Sequence, residues 1–125
     1  MSVLVDTSVW VHHFRRANKV LVDLVVVDEA LTHPMVIGEL ACGTPPSRDR
    51  TLQDMALLTS VRPASHEEVL RFVETEKLYG LGCGLVDMSL LASTLLTPGA
   101  KLWTLDKKLG VLCERFAIAF APAIH

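Results

Sequence analysis

Twice in this chain a short strand-like run, the first of them apolar, feeds into an aspartate that is followed by helix-forming sequence. Ser2–Val5 leads into Asp6, and Lys101–Thr104 stops just before Asp106. A four-residue apolar run without polar alternation reads as a strand buried on both faces. A strand that passes directly into a helix is the repeating unit of a parallel sheet, because parallel strands need a crossover of a dozen residues or more.

The segments between these two runs fit the same scheme. Thr7 and Ser8 are good helix-capping types ahead of a helix over Val9–Phe14. Lys19–Glu29 is a second helix, and Leu31–His33 a brief strand. Pro34 suits the first turn of a helix through Cys42, which Gly43 and Pro45–Pro46 end. Arg48–Leu58 is helical and Val61–Pro63 a possible short strand. Ser65 with Glu68 forms a capping-box pattern that opens a helix to about Tyr79. Gly80, Gly82 and Gly84 make a permissive loop before the apolar helix Leu85–Leu96. After the turn at Pro98–Gly99, Lys101–Thr104 is a strand, Asp106–Arg115 a helix, and Ala117–Phe120 a last short strand. The alternation predicts an α/β fold: a mostly parallel twisted sheet flanked by helices on both faces, in α/β/α layers. At 125 residues, half of them hydrophobic, the chain suits a single domain spanning 1–125.

Such sheets place their sites at the carboxyl ends of the strands. Asp6 and Asp106 fall at that edge by construction. Glu39 sits among apolar residues and glycine in PMVIGELACG, where a carboxylate is costly to bury without a partner. Asp87 occupies the first turn of the apolar helix, next to a glycine loop that lets backbone approach a ligand. Each acid has an ordinary reading: helix N-termini favour carboxylates for Asp6, Asp87 and Asp106, and Glu39 could reach solvent at a helix edge. Taken jointly they point to a cluster. Carboxylates gathered at one edge resist ionising together, a hard divalent cation removes that penalty, and oxygen-only donors suit magnesium or manganese. The chemistry that best fits such a set is phosphodiester hydrolysis.

Four motifs, VDTSVW, PMVIGELACG, GLVDMSLLAS and LWTLDKKL, occur here in the order seen in PIN domains, and the chain resembles the VapC-type toxins of bacterial toxin–antitoxin pairs over nearly its whole length. The resemblance implies a PIN-like domain in which Asp6, Glu39, Asp87 and Asp106 are the catalytic, metal-holding acids. Thr7, Ser8 and Thr104 would be supporting polar residues. It further implies an endoribonuclease that uses Mg2+ or Mn2+, acts on RNA, is commonly a homodimer, and is blocked by a cognate VapB-like antitoxin.

Lys107, Lys108 and Arg15 are candidate RNA phosphate contacts, with surface solubility as the ordinary alternative; Arg16 and Lys77 are weaker ones. The formal net charge of −2 (12 basic, 14 acidic) argues against a protein that holds nucleic acid by a general basic surface. Setting four acids aside leaves 10 against the 12 basic residues, or +2 for the remainder, so a nuclease survives the charge count. Trp10 and Trp103 are read as core rather than base-stacking residues. Seven of the remaining acids, Asp23, Asp28, Glu29, Glu67, Glu68, Glu74 and Glu76, are read as solvated faces or caps. Cys42, Cys83 and Cys113 have no metal spacing and are read as small buried residues of a reducing compartment. The histidines, His125 included, have no metal spacing either. No signal-peptide pattern and no span of roughly 20 apolar residues is present, so a cytoplasmic protein without a membrane segment is expected.

Two other classes compete. A signalling receiver domain has a similar length and an acidic site at the same edge, but calls for adjacent acids after the first strand, where Asp6 is followed by Thr7. A catalytically silent interaction module bound to its antitoxin remains open, because intact acids do not by themselves prove turnover. The mean hydropathy of +0.39 suggests apolar surface covered by another chain.

Overall fold

The computed structural model describes residues 1–122. Its elements, in chain order, are β1 (Ser2–Val5), α1 (Thr7–Arg15), α2 (Lys19–Val26), β2 (Ala30–Thr32), α3 (Pro34–Ala41), α4 (Arg48–Ala56), β3 (Thr59–Ser60), α5 (His66–Glu76), α6 (Leu85–Leu96), β4 (Ala100–Trp103) and α7 (Lys107–Arg115). The four strands form one all-parallel sheet in the order β3-β2-β1-β4. The helices cover both faces, giving the α/β/α architecture expected from the alternation.

β1 is central, and its burial shows why its sequence lacks alternation. Val3, Leu4 and Val5 are all fully buried, so successive side chains enter opposite layers and both layers are apolar. β4 beside it buries Ala100, Leu102 and Trp103. α6 is the most enclosed helix: every residue from Met88 to Thr94 is buried. Its Ser93 and Thr94 are tolerated because their hydroxyls donate to the Ser89 and Leu90 carbonyls at 2.6 and 2.7 Å.

The register sets the functional edge. Val5 of β1 lies beside Trp103 of β4, so the next residues along, Asp6 and Thr104, are neighbours. The Asp6 N–H donates to the Trp103 carbonyl at 2.9 Å. On the other side Leu4 pairs with Leu31, which brings His33 level with Asp6 two steps further on.

Several boundaries differ from those read in the sequence. β3 is Thr59–Ser60, not Val61–Pro63. The Val61 N–H still reaches the Thr32 carbonyl, but the Arg62 N–H is taken by Thr97 Oγ1 and Pro63 has no N–H, so the chain leaves the sheet there. α5 ends at Glu76 because Lys77 turns left-handed at φ 55°. α2 ends at Val26, and Asp28 at φ 59° turns the chain toward β2. The strand expected over Ala117–Phe120 is reduced to a single parallel bridge between Leu102 and Ala119. The capping box of Ser65 and Glu68 is formed in both directions. Trp10 and Trp103 are buried, as core residues should be. The cysteines depart from expectation: Cys113 is buried, Cys83 half-buried and Cys42 exposed. His125 lies outside the described residues.

A buried histidine ties three elements together. His33 caps α3, its Nδ1 accepting from the Met35 N–H at 2.9 Å. Nε2 must then carry the proton, which it donates to Ser93 Oγ at 3.0 Å. Ser93 Oγ also accepts from the Ala64 N–H at 2.9 Å. Burial lowers the His33 pKa below its ordinary 6.5, so the folded state favours the neutral ring. Stability from this residue is therefore fully present above pH 6.5 and is lost as pH falls below it. Replacing Ser93 by Ala strands the buried His33 Nε2–H and the part-buried Ala64 N–H and is expected to cost about 1–3 kcal/mol in urea unfolding. A Ser93→Ala protein as stable as the parent would show that the network does not hold the fold.

Candidate active site at the carboxyl edge of the sheet

Asp6 is the anchor of the edge. It is only 6% exposed and, although it stands at the N-cap of α1, its side chain makes no capping bond. Its Oδ2 instead accepts from Ser8 Oγ at 2.6 Å and from Thr104 Oγ1 at 2.8 Å. Both hydroxyls are oriented from behind: the Leu105 N–H donates to Ser8 Oγ at 3.1 Å, and the Asp106 N–H to Thr104 Oγ1 at 3.0 Å. With a lone pair occupied in this way, each hydroxyl turns its proton toward Asp6.

The other acids arrive on helices. Asp106 is a true N-cap, its Oδ1 accepting from the Leu109 N–H at 2.9 Å. Asp87, in the first turn of α6, accepts from the Gly84 N–H on Oδ2 at 3.2 Å. Glu39 is the exception to the sequence reading. It is exposed, not buried, because α3 turns Val36 and Leu40 to the core and leaves Met35, Gly38, Glu39 and Cys42 on the outer face. Thr7 Oγ1 nonetheless holds Glu39 Oε1 at 2.7 Å, which ties α3 to the start of α1.

The four acids share one electrostatic field. The Asp87 carboxyl is raised above its ordinary value, first by desolvation and then by the negative charges of Asp6, Asp106 and Glu39, with the Gly84 N–H opposing. Burial raises the Cys83 thiol, and the charges of Asp87 and Asp106 add to it while Lys108 opposes. Burial, with the charge of Asp6 behind it, pushes Cys113 up to about 12, so this thiol stays protonated and unreactive. Among the described residues none of the four acids has a lysine or arginine within ion-pair distance.

As a donor set these residues suit a hard cation. Each acid uses one carboxylate oxygen in the hydrogen bonds above and leaves its other oxygen uncommitted, and all the donors are oxygen. Among the described residues, no three His, Cys, Asp or Glu side chains already converge on a single point.

The basic candidates separate. Lys108 lies against Gly82, in the loop before α6, so closely that a Cβ on that glycine would meet its Nζ at 2.8 Å. Lys107 lines a groove with Asn18, Val111 and Phe120 that contains none of the four acids. Arg15 is at the far end of α1 from Asp6, about 13 Å along the helix axis. The neighbourhood of Cys83 and the Gly82–Lys108 contact were missed in the sequence. The glycine spacing there was the only signal, and it did not say what the loop approaches.

A parallel α/β/α domain, here with four acids that pair with no lysine or arginine among the described residues, is the PIN-like arrangement. No protein-family profile matches the chain. It is, however, similar to Ribonuclease VapC32 of Mycobacterium tuberculosis, from both the CDC 1551 / Oshkosh and the ATCC 25618 / H37Rv strains. Identity is 46% over 122 residues, covering 98% of this chain and 98% of each relative. The chain belongs to the VapC family of ribonucleases.

The raised carboxyl of Asp87 carries a sign. An acid whose folded pKa is raised destabilises the fold while ionised, fully above the folded value, and that cost vanishes as pH falls below the ordinary 3.8. Asp87→Asn is therefore expected to raise Tm at neutral pH in EDTA and to lose this advantage in acid. A lowered Tm at neutral pH would contradict the shared field.

Proposed function

We propose that this chain is an endoribonuclease of the VapC type, hydrolysing RNA phosphodiester bonds with Mg2+ or Mn2+ held by Asp6, Glu39, Asp87 and Asp106. The observation that carries the reading is the buried Asp6 carboxylate, held by two oriented hydroxyls and grouped with three other acids, without a protein cation among the described residues. Full-length similarity to a protein named as a ribonuclease supports it.

A hard divalent cation in this set would neutralise the mutual repulsion, activate water and stabilise charge developing on the phosphate. The chain's own part is positioning. Asp6 is locked in one orientation by Ser8 and Thr104, Asp106 by the α7 backbone, and Asp87 by the α6 entry. Glu39, on the exposed outer face of α3, borders the path of a polymeric substrate. Asp106 and Glu39 are exposed and Asp87 half-buried, so three of the four acids are within reach of a strand lying along the edge, with Asp6 buried behind them.

Two kinds of protein partner belong to this reading: a VapB-like antitoxin and a second copy of the chain. Support comes from apolar side chains left on the outer helices, among them Val26 at 77% and Leu57 at 84% exposure. A further support is a groove of about 290 Å³ between α1, α2 and α4, lined by Trp10, Phe14, Val22 and Val25. Among the described residues no helix is long and apolar enough to cross a membrane.

Cleavage of total RNA by the purified chain tests the activity. With Mg2+ or Mn2+ the RNA is expected to be cut at internal positions, and EDTA to abolish the cutting. Asp6→Asn should lower the rate by about 100-fold or more, and Thr104→Val by about 10–100-fold through the lost orientation of Asp6. Folded protein that leaves RNA intact with either metal, or Asp6→Asn protein as active as the parent, would overturn the reading.

A further inference from the structure

Lys107 and Lys108 follow Asp106 as the first two residues of α7. Consecutive helical side chains project about 100° apart, and the two lysines face different surroundings. Lys107 lines a groove with Thr104 and Glu114 that contains none of the four site acids. Lys108 crosses to the loop before α6 and lies on the Gly82 backbone, where a Cβ would stand 2.8 Å from its Nζ and 2.9 Å from its Cδ. Gly82 adopts φ 82°, and the next residue, Cys83, feels the charges of Asp87, Asp106 and Lys108 together. The ammonium thus stands between the start of α6, which carries Asp87, and the start of α7, which carries Asp106.

Four ion pairs form among the described residues, and Lys108 is in none of them. An exposed ammonium two residues along the chain from Asp106, and in no ion pair with it, is free to receive another anion. A compact ammonium with three donors suits a phosphate oxygen. We propose that Lys108 is a phosphate-binding residue of the RNA site, and that Gly82 is a positioning residue whose missing side chain gives the ammonium its seat. The inference rests on the ribonuclease reading and deepens it by assigning the cation that receives the RNA backbone next to the acids.

Gly80 supplies an internal control. It also has positive φ, 74°, but an added Cβ there would meet nothing within 4 Å. Gly80→Ala therefore carries the backbone strain of Gly82→Ala without touching Lys108. Lys19, exposed at the start of α2, matches Lys108 in charge.

The test is binding of a fluorescently labelled, random-sequence single-stranded RNA to Asp6→Asn protein across a salt series, with folding checked by circular dichroism. Adding Lys108→Met is expected to weaken binding about 10-fold or more at low salt. It should also reduce the log–log salt slope by about 0.7, the value of one lost phosphate contact. Lys108→Arg should restore most of both, and Lys19→Met should change neither. Gly82→Ala should weaken binding in the same direction, and Gly80→Ala should not. Lys108→Met behaving as Lys19→Met does, or Gly80→Ala weakening binding as much as Gly82→Ala, overturns the assignment.

Cleavage by the Asp6-intact proteins separates the two levels of the argument. Loss of Lys108-dependent binding in a protein that cuts RNA with metal defeats the phosphate contact alone. Lys108-dependent binding in a parent that never cuts RNA defeats the ribonuclease reading alone. Absence of both binding and cleavage defeats both.

Discussion

The parallel pairing of β1 with β4 is the constraint on which the rest depends. Val5 beside Trp103 makes Asp6 and Thr104 neighbours although 98 residues separate them in the chain. From that contact the edge follows. Thr104 donates to Asp6 and receives the Asp106 N–H, so the start of α7 is oriented by the same hydroxyl that orients the buried acid. Ser8, from the first turn of α1, makes the matching link to Leu105. The first and last helices of the domain are thereby joined through one carboxylate.

Capping and function do not exclude each other at this edge. Asp106 and Asp87 both make the helix-start bonds that an ordinary acid makes, each with a single oxygen. A carboxylate has two, and the second is uncommitted. Asp6 is the acid for which the ordinary explanation fails, since it stands at an N-cap without capping and is the most buried of the four. A carboxylate in that position needs compensation, which two hydroxyls supply in part.

Much of the fold was legible because its signals are local. An apolar run without alternation marked β1, a short strand after the Pro98–Gly99 turn marked β4, the Ser65–Glu68 pair marked the start of α5, and the apolar stretch Leu85–Leu96 became α6 with those same bounds. The misplaced elements were those whose limits are set by distant partners. β3 gave way where Thr97 takes the Arg62 N–H, and the last strand shrank to a bridge on Leu102. Glu39 was expected in an apolar setting because its neighbours in the chain are apolar. Which of those neighbours face the core depends on how α3 rolls against the sheet, and the helix turned Glu39 outward.

By itself the sequence determined the class of fold and which acids stand at helix starts, because strand burial, capping and turn preference act over a few residues. Only the tertiary structure decided that these acids lie within one another's electrostatic reach, that Asp6 is locked by Ser8 and Thr104, that Glu39 is exposed, and that Lys108 rather than Lys107 lies against the glycine loop. Those outcomes rest on strand register and helix rotation. Both are set by packing between segments far apart in the chain, where a shift of one residue or a rotation of about 100° reassigns every side chain.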